Sequence, residues 1–288
     1  MGDKLIQLEQ LEHSPRNFNW KHLFFLAVIW LLAIVWILPI LWMISTSLKT
    51  ETMVLTLVPH WIPPIITFEN YLHAIQKAPL LLWFYNSLAI AIVSTLLVLI
   101  IDAMAAYAFA RVRFTGNRVL FIIVLCTMMV PSQVIMVPLY LLFNSMNLLN
   151  TFIVVILPRT AAALGVFMLR QFFIGIPVEL EDAARIDGCS RYGIFWRIIL
   201  PLAHPALASL GIFTFVWSWN DYLWPLITLS TKEMYTLPIG LSTLVGYFAR
   251  EYGMLMAGAI IASIPTFIVF LFFQRQLIQG ITTTGLKG

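Results

Sequence analysis

Four stretches of the chain, 22–48, 78–101, 119–143 and 252–274, contain no Asp, Glu, Lys or Arg. Each runs for about 23 residues or more, and roughly 20 apolar residues cross the hydrocarbon core of a bilayer as a helix. Two further apolar stretches hold one charge each: 149–169, interrupted by Arg159, and 205–229, interrupted by Asp221. This alternation predicts an all-α, polytopic membrane protein with six transmembrane helices. A polar tail, 1–21, precedes a single transmembrane domain over 22–288. Between the spans, the segment 49–78 carries Trp61, Pro63, Pro64 and Tyr71, which predicts a packed cap with aromatic rings near headgroup depth. Residues 144–150 predict a tight turn, and 230–252 a loop holding Pro238, Gly240 and Gly246. No internal repeat is strong enough to support an inverted-repeat carrier.

Composition sharpens this picture. Hydrophobic residues make up 61% of the chain and charged ones 10%, against about 45–50% and 25% in soluble domains. Lipid must therefore be the solvent over most of the molecule. With the N-terminus inside, Lys4, Arg16, Lys21, Arg111, Arg113, Arg118, Arg170, Arg185, Arg191, Arg197, Arg275 and Lys287 fall on the inner side. Only Lys49, Lys77, Lys232 and Arg250 fall on the outer side. Twelve against four predicts that both termini are cytoplasmic. The net charge of +4 follows from topology and calls for no nucleic-acid partner. The first span is too long for a cleaved signal peptide, and about 21 polar residues precede it. Cys126 and Cys189 fall in the third span and on the inner side, so no disulfide is expected. Neither cysteine has histidines at metal-ligand spacing, and no metal site is expected.

The inner segment 174–201 departs from the rest, for ELEDAARIDGCSRYGIFWRIILP (179–201) is dense in charge. Pro177 suits a first helical position, where a missing N–H costs nothing. Glu179, Glu181 and Asp182 favour the positive end of the helix dipole, and Gly188 suits the residue of positive φ that ends a helix. Ser190 suits the cap of a second helix, with Ile194, Phe195, Ile198 and Ile199 on an apolar face. Pro201 and Pro205 punctuate the entry to the fifth span. The prediction is a helix–turn–helix outside the membrane. Ala183 and Ala184 allow another protein's surface to approach closely. The residues alone leave two readings open: a docking element, or an amphipathic segment lying on the membrane surface.

Here the sequence resembles a known signature. Asp182-Ala183-Ala184, Gly188 and Ile198-Ile199-Leu200-Pro201 match, in type and spacing, the EAA loop of ABC importer permeases, with Asp182 where that family usually has Glu. YNSLAIAIVST (85–95), AYAFARVRF (106–114), LLNTFIVVILP (148–158), LRQFF (169–173), WNDYLWPL (219–226) and QGITTTGLKG (279–288) resemble the smaller, six-span permease of maltose-type carbohydrate importers. The resemblance implies a type I importer permease fold and a heterodimer with a second permease. It also implies two ATP-binding subunits and an extracytoplasmic solute-binding protein. Glu181, Asp182, Ala183, Ala184, Asp187, Gly188, Ile198, Leu200 and Pro201 are then expected to couple to the ATPase. Leu237, Pro238, Gly240, Leu241 and Gly246 are expected to reach the binding protein. ATP and Mg are used by the partner ATPase, and this chain binds no cofactor.

Charges at membrane depth usually face the bundle interior. Arg159 lies about ten residues, or ~15 Å of helix, from the outer end of its span, and Asp221 about eight residues, or ~12 Å. Similar depths predict either a structural pair or an Arg159 that faces an anionic group on the cargo. Arg159, Trp217, Trp219, Asn220 and Asp221 form the candidate substrate pathway, because sugars stack on aromatic faces and hydrogen-bond to polar side chains. Trp224 suits an interfacial aromatic belt. Asp102, at the end of the charge-free stretch, is expected to snorkel or to pair with nearby arginines.

The chain has no G-x-x-x-x-G-K-[ST] and no H-E-x-x-H, the phosphate loop and zinc motif that ATP hydrolysis or metalloprotease chemistry would use. The five histidines are scattered, which points away from a membrane enzyme. An ion-coupled secondary sugar transporter is the main alternative, and it needs more intramembrane ionisable residues than Arg159, Asp221 and Asp102.

Overall fold

The computed structural model describes residues 20–56, 60–247 and 251–285, with the backbone alone at 22, 247 and 275–285. Residues 1–19 of the polar tail, Arg250 and the end of the QGITTTGLKG motif lie outside the described residues, while Trp20 and Lys21 already belong to the first helix. Those described are nearly all helical and include no β-strand.

Helix α1 (Trp20–Ser47) leads through a one-turn helix (Glu51–Val54) to α2 (Glu69–Lys77). The central helix is α3 (Leu80–Arg111). Next come α4 (Asn117–Thr127), α5 (Ser132–Ser145) and α6 (Phe152–Ile156), the last extended by a 3-10 turn, Leu157–Arg159. Then follow α7 (Ala163–Ile174), α8 (Val178–Ile186) and α9 (Arg191–Ile194). A π turn, Phe195–Ile199, continues α9 towards Leu200–Leu202. The chain ends with α10 (His204–Trp219), α11 (Leu223–Thr228), α12 (Leu237–Tyr247) and α13 (Tyr252–Gly285).

Three helices, α1, α3 and α13, are long and apolar enough to cross a bilayer unbroken. The other expected spans are bent pairs. The stretch 119–143 is no single helix: α4 and α5 meet at 97° across 128–131. Pro131 stands at the entry to α5 with ψ 132°, outside the helical region, and a proline also disfavours helix at the residue before it. The fourth span begins only at Phe152, after Asn147 and Asn150 turn the chain with φ of 55° and 58°. It bends by 40° between Arg159 and Ala163. The third bent pair lies earlier than the expected fifth span: Arg191–Leu202 and His204–Trp219 meet at 77°, and α10 ends at Trp219, before the chain turns helical again at Leu223. Counting each bent pair as one gives up to six spans among the described residues.

α3 is the axis. At 32 residues it is about 48 Å long, well beyond the ~30 Å hydrocarbon core. It packs against α7 and α10, and α10 packs in turn on α13. Ala91, Ser94, Ala103 and Ala106 on α3 are fully or almost fully buried, and small residues let membrane helices approach closely. One core, with Leu169, Phe173, Ile194 and Ile199, lies beside the charged segment 174–201. Another, with Leu80, Trp83, Trp219, Leu237 and Met254, lies at the far end. The 49–78 segment is tied to the end of α1, where Ser45 donates to Trp61 O at 2.5 Å and Asn70 Nδ2 donates to Ser47 O and Lys49 O at 2.8 and 2.7 Å. It is not the packed cap expected: Trp61, Ile62, Ile65, Ile66 and Phe68 are exposed.

Candidate functional site

The charged segment folds as two short helices tied to the spans by one buried ion pair. Glu181 on α8 is 1% exposed, and its Oε1 lies 3.0 Å from Arg111 Nε at the last residue of α3. Tyr107 donates to Glu181 Oε2 at 3.3 Å, and Arg185 reaches the same oxygen at 3.3 Å. Arg111 also donates to Phe173 O at 2.6 Å and to Ile176 O. Its guanidinium thus clamps the end of α7 and the inner face of α8 together. Arg111 and Tyr107 were missed as site residues. Arg111 reads in the sequence only as one more inner positive charge, although its place at the end of an unbroken apolar helix was visible.

α8 ends in a Schellman motif. Cys189 N donates to Ala184 O at 2.9 Å and Gly188 N to Arg185 O at 3.0 Å, with Gly188 at φ 80°. This is the glycine role expected at that position. Ser190 caps α9 by accepting from Gly193 N at 3.2 Å. Pro177 is the cap residue rather than the first helical one, so α8 starts one residue later than expected. Asp182 is exposed and pairs with Arg185 at 2.7 Å; Ala183 and Asp187 are exposed as well. Ala184 is not available to another protein: it packs in the chain's own core beside Ile194 and Phe195. Ile198 and Leu200 are half-buried and Pro201 exposed, where the chain turns by 77° into α10. The outward surface of the segment displays Ile186, 86% exposed, and Tyr192, 75% exposed.

At the level of the bent spans lies a cavity of about 470 Å³, lined largely by apolar groups from α5, α10 and the break after Arg159. Arg159 and Asp221 face it and pair with each other, Nη2 to Oδ2 at 2.5 Å. Each sits at a helix break, where the chain's turn carries it inward. Trp217 is exposed and lines the same cavity. Asn220 does not join them: its Nδ2 donates to Val216 O in its own helix, and it faces a separate cavity against α13. Trp219 is core, donating to Ala262 O at 2.9 Å and stacked on Phe215. Trp224 is not a belt residue; it is buried and donates to Val154 O at 2.8 Å.

Asp102 neither snorkels nor pairs with an arginine. α3 continues nine residues past it, so the carboxylate is fully buried and accepts from Ala162 N at 3.1 Å, at the start of α7. A carboxyl oxygen there meets the positive end of the α7 dipole. Gly165 makes room for it, since a Cβ at that residue would lie 2.1 Å from Asp102 Oδ2.

Within the segment 230–252, residues 237–247 form α12, and the stretch 232–240 is pinned to α3. Trp83 Nε1 donates to Lys232 O at 2.8 Å, and Leu237 N donates to Ser87 Oγ at 2.8 Å. Leu237 is fully buried and Gly240 is pressed against the Trp83 ring, so these two hold the loop and do not face outward. Pro238 and Leu241 are half-buried, and Gly246 is exposed.

The family described as binding-protein-dependent transport system inner membrane component matches residues 103–283. The arabinooligosaccharides transport system permease protein AraQ of Halalkalibacterium halodurans is 44% identical over 227 residues, covering 78% of this chain and 81% of that protein. The sulfoquinovosyl glycerol transport system permease protein SmoH of Agrobacterium fabrum is 36% identical over 245 residues, 84% and 86% of the two chains. Among solved structures, a chain of a bacterial ABC transporter that imports the acidic polysaccharide alginate superposes with a TM-score of 0.82 at 24% identity, covering 91% of this chain and 99% of that one. With its bent spans, its tethered helix–turn–helix and the motifs that carry both, the chain belongs to the family of binding-protein-dependent transport system inner membrane components and has the fold of a type I ABC importer permease.

Proposed function

We propose that the chain is the smaller permease subunit of an ATP-driven carbohydrate importer and lines half of its translocation pathway. It would pair with a second permease, two ATP-binding subunits and an extracytoplasmic sugar-binding protein, with both termini in the cytoplasm. ATP and Mg would be used by the ATPase, not by this chain. The observation that carries this reading is the two-sided character of the α8–α9 hairpin. The inner face of α8 is locked to α3 through Glu181 and Arg111, while Ile186 at the end of α8 and Tyr192 on α9 stand bare on the outer side. A rigid link inward and an apolar surface outward are what a transmitter between a soluble ATPase and the spans requires.

The cavity at Arg159 supports an oligosaccharide as cargo, and the sugar-permease relatives support the same class. Because Asp221 neutralises Arg159, the geometry favours a neutral sugar; a uronate would have to open the pair. The test is ATPase activity of the reconstituted complex with a panel of sugar-loaded binding protein, alongside uptake into proteoliposomes. Uptake that needs ATP and loaded binding protein supports the reading. Uptake that follows an ion gradient and ignores ATP replaces it with the secondary-carrier reading. Arg159→Ala is expected to impair neutral and acidic cargo alike, and selective loss of acidic cargo would reinstate the anion role.

A further inference from the structure

At the end of α1 the fold leaves a buried cation without a counter-charge among the described residues and a hydroxyl without a hydrogen-bond partner, both in one cavity. The Lys49 side chain is 1% exposed, its ammonium 4.3 Å from the centroid of the Trp42 ring, and no ion pair reaches it among the described residues. Glu51, the nearest acid in sequence, is engaged elsewhere: its carboxylate accepts from Tyr252 N and Gly253 N at 2.7 and 3.1 Å. Thr46 Oγ1 is buried and has no hydrogen-bond partner. Lys49 and Thr46 line the same cavity of about 460 Å³, together with Trp42, His60, Tyr252 and Met256.

A buried ammonium without a counter-charge is costly, and a ring face restores only about 0.5–2 kcal/mol of what hydration supplied. Burial accordingly lowers the pKa of Lys49 below the ordinary lysine value. A bound anion would answer both orphan groups at once, with a salt bridge from the ammonium and a hydrogen bond from the hydroxyl. The position selects the kind of anion. The cavity opens just past the end of a spanning helix, at headgroup depth. One wall is Trp42 of α1, whose neighbours Leu38 and Leu41 face outward, where acyl chains would run. We infer that this cavity is a binding site for the phosphate of an anionic phospholipid headgroup, held by Lys49 and Thr46. The inference rests on α1 crossing the bilayer and is independent of the cargo.

The test is native mass spectrometry of the assembled complex, purified from a mixture of phosphatidylglycerol and phosphatidylcholine. Wild type retains phosphatidylglycerol, Lys49→Arg retains it, and Lys49→Met lowers its occupancy by about tenfold or more, the scale of a lost hydrogen bond to a charged group. Thr46→Val, which replaces the buried hydroxyl by a methyl of similar size, lowers it less. It carries the test if Lys49→Met fails to assemble with its partners. Equal phosphatidylglycerol in wild type and both variants overturns the site. Displacement of the lipid by millimolar inorganic phosphate keeps the anion but overturns a lipid as its source.

Discussion

Replacing Glu181 with alanine takes away the one carboxylate that pairs, among the described residues, with an Arg111 guanidinium that is 9% exposed. Removing one member of a buried pair typically costs 3–5 kcal/mol, because the other charge stays behind. Arg111 keeps the carbonyls of Phe173 and Ile176, so the lower end applies, about 3 kcal/mol. At about 1.4 kcal/mol per factor of ten, α8 should detach from the spans roughly 100-fold more often. Asp182→Ala makes the contrast. That carboxylate is 58% exposed and pairs with a half-exposed Arg185, a surface pair worth ~0–1 kcal/mol. Hydrogen exchange over 178–187 in the reconstituted complex reads both directly. Glu181→Ala is expected to lose about two decades of protection there and to uncouple ATP hydrolysis from uptake; Asp182→Ala is expected to do neither. Removing both charges, with Arg111→Met and Glu181→Met together, should recover much of the protection, as apolar replacement of a whole buried pair does. Equal loss of protection in Glu181→Ala and Asp182→Ala would refute the assignment of Glu181 as the tether.

Three further substitutions follow from close approaches and backbone geometry. Gly240→Ala places a Cβ 1.9 Å from Trp83 Cε3. Overpacking of this kind costs ~1–3 kcal/mol, so the complex should melt several degrees lower and regain stability with Trp83→Leu; no rescue would argue against the clash. Gly165→Ala meets the Asp102 carboxylate at 2.1 Å and should impair assembly, measured by co-purification of the partner subunits. Adding Asp102→Ala should restore part of it, and independent, additive effects would show that the two do not touch. Gly188 has open space around it but a φ of 80°, so Gly188→Ala should destabilise α8 by ~1–2 kcal/mol and Gly188→Asn by less. Equal exchange protection in the two variants would refute a conformational cause.

The apolar stretches were legible because lipid imposes apolarity on every residue of a span, whatever its shape; the described helices give three unbroken crossings, or up to six if each bent pair is one. The bends were not legible for the same reason: 128–131 is as apolar as the helices on either side. Prolines did not discriminate, since Pro39, Pro138 and Pro265 lie inside continuous helices while Pro131 opens one. Asp102 was misjudged because a charge was taken to end a span, whereas α3 runs on to Arg111. The cap and turn residues Gly188 and Ser190 were readable, since their chemistry is local. The choice between Glu181 and Asp182 was not. It depends on which carboxylate meets an arginine 70 positions earlier in the chain. The pairing of Arg159 with Asp221 lay within reach because matched depth in a bilayer substitutes for knowledge of the tertiary fold.

α1 is almost wholly bare within the subunit, and its main contact is α13. Glu51 caps the start of α13, Lys77 pairs with Glu251 just before it at 2.7 Å, and α2 packs on its side. α1 therefore rests on a helix made about 200 residues later in the chain. Until that helix has been made, α1 lacks its main protein surface within this subunit, and it waits in lipid as an isolated helix. A ribosome stalled before residue 252 should leave a nascent chain whose first span remains free to diffuse or to be claimed by quality-control machinery.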